Sequence, residues 1–237
     1  MTVADLELAV ARRLRALTLR DRVRLATGAD FWCTAAAPEH GLRSMVLSDG
    51  PVGVRGQRWD EHGSAVLPSP TAWAASWDEP LVERLGGLLA AQARRKGVDV
   101  VLGPTVNLHR SPLAGRHFEC LSEDPLLSGR IGVAYVRGLQ AHGVGACAKH
   151  YVANDSESSR FTVDVRVDER TLRELYLAPF EDLVVDAGVW MVMAAYNGVN
   201  GTTMTDNTLL TDPLLARWGF DGVVVSDWIR LVPAYQV

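Results

Sequence analysis

Short β-branched apolar runs recur along the chain, and four of the five end on polar or charged residues. Gly222-Val223-Val224-Val225 runs into Ser226-Asp227-Trp228. Arg43 to Leu47 runs into Ser48-Asp49-Gly50-Pro51, Val98 to Leu102 into Gly103-Pro104, Val144 to Ala148 into Lys149-His150, and Val189 to Ala195 into Tyr196-Asn197. Continuous runs of this kind predict strands buried on both faces, as in a parallel sheet. Between them the apolar spacing changes to a helical one. Asp78-Glu79-Pro80 opens a helix that carries Leu81, Leu85, Leu88 and Leu89 and stops at Gly97. Asp124-Pro125 opens another, with Leu126, Leu127, Ile131, Val133, Tyr135 and Leu139, closed by Gly143. Asp168 caps a third, bent at Pro179 and ended by Gly188. Met1 to Leu19 reads as an amphipathic helix.

Strand–helix–strand repeats of this kind predict an α/β fold of parallel strands joined by helical crossovers. An open doubly wound sheet and a barrel both satisfy that pattern. Ser48-Asp49-Gly50-Pro51-Val52-Gly53 is not a dinucleotide fingerprint, and Pro51 removes an amide that a phosphate would use. Polar tips on nearly every strand favour a TIM-type (β/α) barrel, whose site draws on several strand ends. Five strands, six with Thr162 to Val167, are used by Ser226, whereas a closed barrel needs eight. Only nine residues follow Trp228, Pro233 among them, so the expectation is an incomplete barrel with an exposed edge and poor solubility. Residues 1–237 are expected to form one domain.

Composition narrows the class. The chain has 237 residues, 48% hydrophobic and 22% charged, with a net charge of −4. No Lys/Arg run signals nucleic acid or an anionic membrane, and no apolar stretch is long enough to span a bilayer. The N-terminus lacks a signal-peptide pattern, which predicts a cytoplasmic protein. Cys33, Cys120 and Cys147 form no paired motif and read as free thiols.

Several residues are candidates for chemistry. Asp227, at a strand end, suits a nucleophile, a general base or a metal ligand, or a cap for the next helix. Trp228 beside it suits stacking on a sugar ring, or core packing. Lys149 and His150 form a pair of cations able to donate to hydroxyls. Arg160 closes the polar run that starts at Asn154. Arg116 and Glu119 form either a loop-ordering pair or a hydroxyl grip, and Glu123 and Asp124 read as helix-start acids. His109, His117, His150, Glu119 and Asp227 lack ligand spacing, so no metal site is expected.

Taken in order, these motifs resemble the N-terminal barrel domain of glycoside hydrolase family 3, the β-glucosidase-like enzymes. The resemblance rests on Leu47-Ser48-Asp49-Gly50-Pro51-Val52-Gly53-Val54-Arg55, Gly103-Pro104 with Asn107-Leu108-His109-Arg110, and Gly115-Arg116-His117-Phe118-Glu119 with Ser122-Glu123-Asp124-Pro125. It continues through Ala148-Lys149-His150-Tyr151-Val152-Ala153-Asn154 with Glu157 and Arg160, Met193 to Gly201, and Val225-Ser226-Asp227-Trp228. It implies a retaining β-glycosidase acting on a small-molecule glycoside without a cofactor. Asp227 matches the nucleophile; Asp49, Arg116, Lys149, His150, Arg160 and Tyr196 match residues that grip the sugar, and Met193 lines the site. Cations near Asp227 are expected to keep it ionised. The acid/base of β-glucosidases in this family resembles a Glu from a later domain, so the chain is expected to lack it. Tyr151-Val152-Ala153-Asn154 departs from the Pro-Gly loop of the N-acetylhexosaminidase branch and points to the β-glucosidase/β-xylosidase side. The implied function is hydrolysis of terminal β-glucosidic bonds, and the alternative is a catalytically inactive sugar-binding remnant. Ile229 to Val237 departs from the Gly- and Ala-rich continuation expected after Ser-Asp-Trp.

Overall fold

The computed structural model describes residues 3–58 and 63–228; the tail from Ile229 to Val237 lies outside the described residues. The chain opens with α1 (Val3–Ala16) and α2 (Leu19–Ala26). Helix α1 lies within the Met1–Leu19 stretch expected to be helical, and Thr18 and Asp21 form a capping box that starts α2 as a second helix beyond it. Then follow β1 (Leu47–Ser48), α3 (Pro70–Ser76), α4 (Glu79–Arg95), β2 (Val100–Val101), α5 (Pro125–Gln140) and β3 (Gly145–Tyr151). After β4 (Asp164–Val165), α6 (Glu169–Thr171) passes through a wide turn at Leu172–Leu177 into α7 (Ala178–Val185). That wide turn sits just before Pro179, which cannot donate the hydrogen bond of a regular turn. The last elements are β5 (Met191–Ala194), β6 (Gly198–Val199), β7 (Thr202–Thr203) and β8 (Val223–Ser226).

Strands β1, β2, β3, β5 and β8 lie side by side in that order, all parallel. The sheet curls into a half-barrel, an incomplete TIM-type barrel. Thr162 to Val167 does not supply a sixth strand. Its β4 pairs instead with β6, and β6 with β7, in a separate three-stranded sheet.

Side chains alternate across the main sheet with the period of two that a pleated strand imposes. Val101, Ala146, Ala148, Val192 and Ala194 face the large core shared with α4, α5 and α7. Val100, Cys147, Met191 and Met193 face the other way and join Leu47 and Leu102 in a smaller cluster with Trp32, Val225 and Trp228. Helices α4 and α5 cross closely at Gly86 and Gly138, where a Cβ built on Gly86 would come within 2.9 Å of the Gly138 Cα. The buried stripe of α4 is therefore Val82, Gly86, Leu89, Ala90 and Ala93, and Leu88 is 53% exposed rather than packed. Asp78, Asp124 and Asp168 cap their helices as the sequence predicts. The Val223–Val225 run is not buried on both faces. Among the described residues β8 is the edge strand and pairs with β5 alone, and Val223 and Val224 are exposed. No helix among the described residues is long and apolar enough to cross a membrane.

Candidate active site

The nine candidate catalytic and sugar-binding residues reach one hollow at the C-terminal end of the half-barrel. Asp49 follows β1, Lys149 and His150 close β3, Met193 lies on β5 with Tyr196 just beyond, and Asp227 and Trp228 follow β8. Arg116 arrives from the loop after β2 and Arg160 from the loop after β3. These nine side chains, with Phe31, Trp32 and Leu102, line a cavity of about 240 Å³. That is the volume of about eight bulk waters, a space of monosaccharide size. Consecutive strand residues normally point to opposite faces. Here the pairing of β3 with β5 shifts register between Ala148 and Tyr151, and both Lys149 and His150 reach the hollow.

Ion pairs organise one wall. The buried Lys149 ammonium donates to Asp49 Oδ1 at 3.0 Å and lies 3.4 Å from Glu119 Oε2. Glu119, also buried, accepts from the Arg116 Nε at 2.6 Å and the Thr105 hydroxyl at 3.0 Å. Arg116 Nη1 stands 3.7 Å from Glu157, and Glu157 accepts from Arg160 at 3.0 Å. Burial pushes the Asp49 and Glu119 carboxyls up, but Lys149 and Arg116 outweigh it and hold both below their ordinary range. Burial likewise lowers Lys149, and its two carboxylates outweigh that and raise it. Both acids and the ammonium are thus charged at neutral pH.

Asp227 differs. It is 7% exposed, with Oδ1 accepting the Trp228 backbone N–H at 2.8 Å and Oδ2 buried without a hydrogen-bond partner. Burial raises its carboxyl above the ordinary value, and the Trp228 N–H, Arg116, Lys149 and the Tyr196 hydroxyl only partly offset this. Desolvation thus sets the direction of the shift, against the pull of the nearby cations. His150 also departs from expectation. Burial, then Arg116, Lys149 and Arg160, press its imidazole well below the usual histidine range, so it is neutral and not a second cation.

Aromatic groups form the opposite wall. Trp32 and Trp228 lie 5.8 Å apart, Phe31 meets Trp32 edge-on at 4.9 Å, and the Trp228 indole N–H donates to the Phe31 carbonyl. Tyr196 donates to the Trp228 carbonyl at 2.5 Å, and Arg160 lies over its ring at 4.9 Å. Sequence reading missed Phe31 and Trp32. Their only signal is a pair of adjacent aromatics in the long connection between α2 and β1.

A larger hollow of about 440 Å³, with no lining residue in common with this one, is lined by Arg110, Asp155, Glu157 and Tyr176 among others. Its Asp155 carboxyl is pushed up to about 6 by burial. Only the smaller hollow combines an unpartnered carboxylate oxygen with converging cations and aromatic faces. Among the described residues, two groups could hold a metal ion: His109, His117 and Cys120, and Asp21, Glu39 and His40. Neither includes a residue of the smaller hollow, and neither was legible as linear spacing.

Residues 19–236 match the glycosyl hydrolase family 3 N-terminal domain. The chain belongs to that family. It is 52% identical over 215 residues to a beta-glucosidase of Rhizobium radiobacter, covering 90% of this chain and 26% of the relative. It is 44% identical over 228 residues to thermostable beta-glucosidase B of Acetivibrio thermocellus, covering 92% and 30%. Among solved structures, beta-glucosidase 3B from Thermotoga neapolitana in complex with glucose superimposes with a TM-score of 0.87 at 40% identity, covering 93% of this chain and 34% of that one. The chain thus spans about a quarter to a third of the length of these relatives.

Proposed function

We propose that this family 3 chain forms the sugar-binding and nucleophile-bearing part of a retaining β-glycosidase acting on terminal β-glucosidic bonds. The observation that carries the reading is the buried, unpartnered Asp227 Oδ2 in a monosaccharide-sized hollow ringed by Arg116, Lys149, His150 and Arg160. In this reading Oδ2 attacks the anomeric carbon while the bond to the leaving oxygen breaks, giving a covalent glycosyl–enzyme that water then hydrolyses. Asp49 and Lys149 offer an acceptor and a donor for neighbouring hydroxyls. Trp228 and Trp32 offer apolar faces to the C–H side of the ring. Contacts that tighten as the ring flattens toward an oxocarbenium ion lower the barrier.

The leaving oxygen needs a proton from a second carboxyl. Asp49 and Glu119 are ion-paired and held below their ordinary range, so neither is a proton donor at neutral pH, and Glu157 is engaged by Arg116 and Arg160. The same observation supports an acid supplied from outside this hollow, with slow turnover of ordinary glucosides by the 237-residue chain alone.

An activated leaving group removes the need for that acid. Incubating the chain with 2,4-dinitrophenyl 2-deoxy-2-fluoro-β-D-glucoside is expected to leave one glycosyl label, mapped by peptide mass spectrometry to Asp227. A label on any other carboxylate would overturn the assignment. Glucose binding by calorimetry without any label would instead favour an inactive binding remnant.

A further inference from the structure

Asn107 is fully buried and makes three contacts to one residue. Its amide nitrogen donates to the His150 carbonyl at 3.0 Å, and its Oδ1 accepts the His150 backbone N–H at 2.8 Å. These two backbone partners fix which end of the amide is oxygen. The same Oδ1 lies 3.2 Å from the His150 ring Nδ1. An amide oxygen only accepts, so Nδ1 must carry the proton. A neutral imidazole has one N–H, which leaves Nε2 with a lone pair. Nε2 faces the Arg116 Nη2 at 3.1 Å and Asp227 Oδ2 at 3.6 Å. The guanidinium can only donate, so it satisfies the lone pair. The opposite tautomer would set two N–H groups against each other and aim a proton at Asp227.

We propose that Asn107 is a positioning residue that locks His150 as its Nδ1–H tautomer and thereby keeps the imidazole from turning a proton toward Asp227 Oδ2. Glu157 acts at one remove through Arg116; Lys149, Arg160 and Tyr196 are the other ionisable side chains around the ring and the carboxylate. The value of a free Oδ2 rests on the proposed nucleophilic role of Asp227, but the tautomer does not.

The test is long-range ¹H–¹⁵N correlation spectroscopy of the histidine-labelled chain, without glycoside. The chain has six histidines, and His150→Gln assigns the signal. The expected result is one histidine protonated on Nδ1 and bare at Nε2, unchanged across neutral pH. An Nε2–H tautomer or an imidazolium in the wild-type chain overturns the proposal, whatever the labelling experiment shows. In Asn107→Asp, a carboxylate facing Nδ1 is expected to draw a second proton onto the ring and to cut the rate of 2-fluoroglucosyl labelling with little change in glucose binding. A ring that keeps its wild-type signature in that variant also overturns it.

Discussion

The two faces of the five-stranded sheet solve the same folding problem by different physics. The helix-side face is continuous apolar packing: Val101, Ala146, Ala148 and Val192 against Leu89, Ile131, Val136, Leu139 and Leu183, all nearly inaccessible to solvent. The other face holds only a small apolar cluster, and above it an ammonium, two guanidinium groups and three carboxylates knit through each other. Packing tolerates no added volume, whereas the charged face tolerates no missing partner. That is the expected division in a parallel-strand fold, where one face supports and the strand ends hold the chemistry.

Breaking the charged face should cost most. Lys149→Met removes the ammonium between Asp49 and Glu119, leaving a buried carboxylate with one cation fewer. Breaking a buried pair by removing one member costs about 3–5 kcal/mol, and glucose binding should be lost with it. Urea denaturation of wild type and variant measures the difference. The pH dependence has a definite sign. Glu119 and Asp49 are held below their ordinary values of 4.5 and 3.8, so their contribution is present above those values and fades as pH falls through the depressed ones. The gap between wild type and Lys149→Met should therefore narrow on going from neutral pH to below the depressed values. A gap independent of pH would mean that Lys149 contributes by packing and not by charge.

On the helix side the matching experiment adds volume instead of removing charge. Gly138→Ala places a methyl between α5 and α4, within 2.9 Å of the Gly86 Cα and against the Glu83 carbonyl. The neighbours are backbone and cannot swing aside, so the expected loss is about 1–3 kcal/mol, with no dependence on pH. The thermal midpoints of the same variant at neutral and acid pH check both halves of that statement.

The helix side was the more legible of the two in the sequence, though not in detail. Strand and helix positions follow from apolar period and from the caps at Asp78, Asp124 and Asp168. The exposure of Leu88 did not, because the contact is built on glycines, which leave no hydrophobic mark. The exposure of Val223 and Val224 was hidden for a similar reason: a Val run reads alike in a central strand and at an edge. In the site, residues at strand ends were legible because each follows an apolar run. Trp32, Phe31, Thr105 and Asn107 lie on loops without that marker and reach the hollow or its supports only through long-range folding. The neutral state of His150 and the raised carboxyl of Asp227 were not legible at all, since both follow from burial, which a one-dimensional pattern does not measure.

The smallest effect sharpens the comparison by reversing its sign. Asp227 sits among the charges but gains less from them than burial takes away, so its folded carboxyl titrates above the ordinary 3.8. A group raised in this way favours the fold while protonated. That support is complete below the unfolded value and is lost as pH rises through the folded one. Asp227→Asn keeps the shape and removes the buried charge, so it should stabilise the chain by about 1 kcal/mol at neutral pH, roughly 2–4 °C in Tm for a chain of this size. Below pH 3.8 the wild type is neutral too, and the two should melt together. The same variant should take no fluoroglucosyl label. Stabilisation at neutral pH together with lost labelling identifies a carboxylate held in place at the expense of the fold. A destabilised variant would instead place Asp227 with Glu119, among the charges that hold this face together.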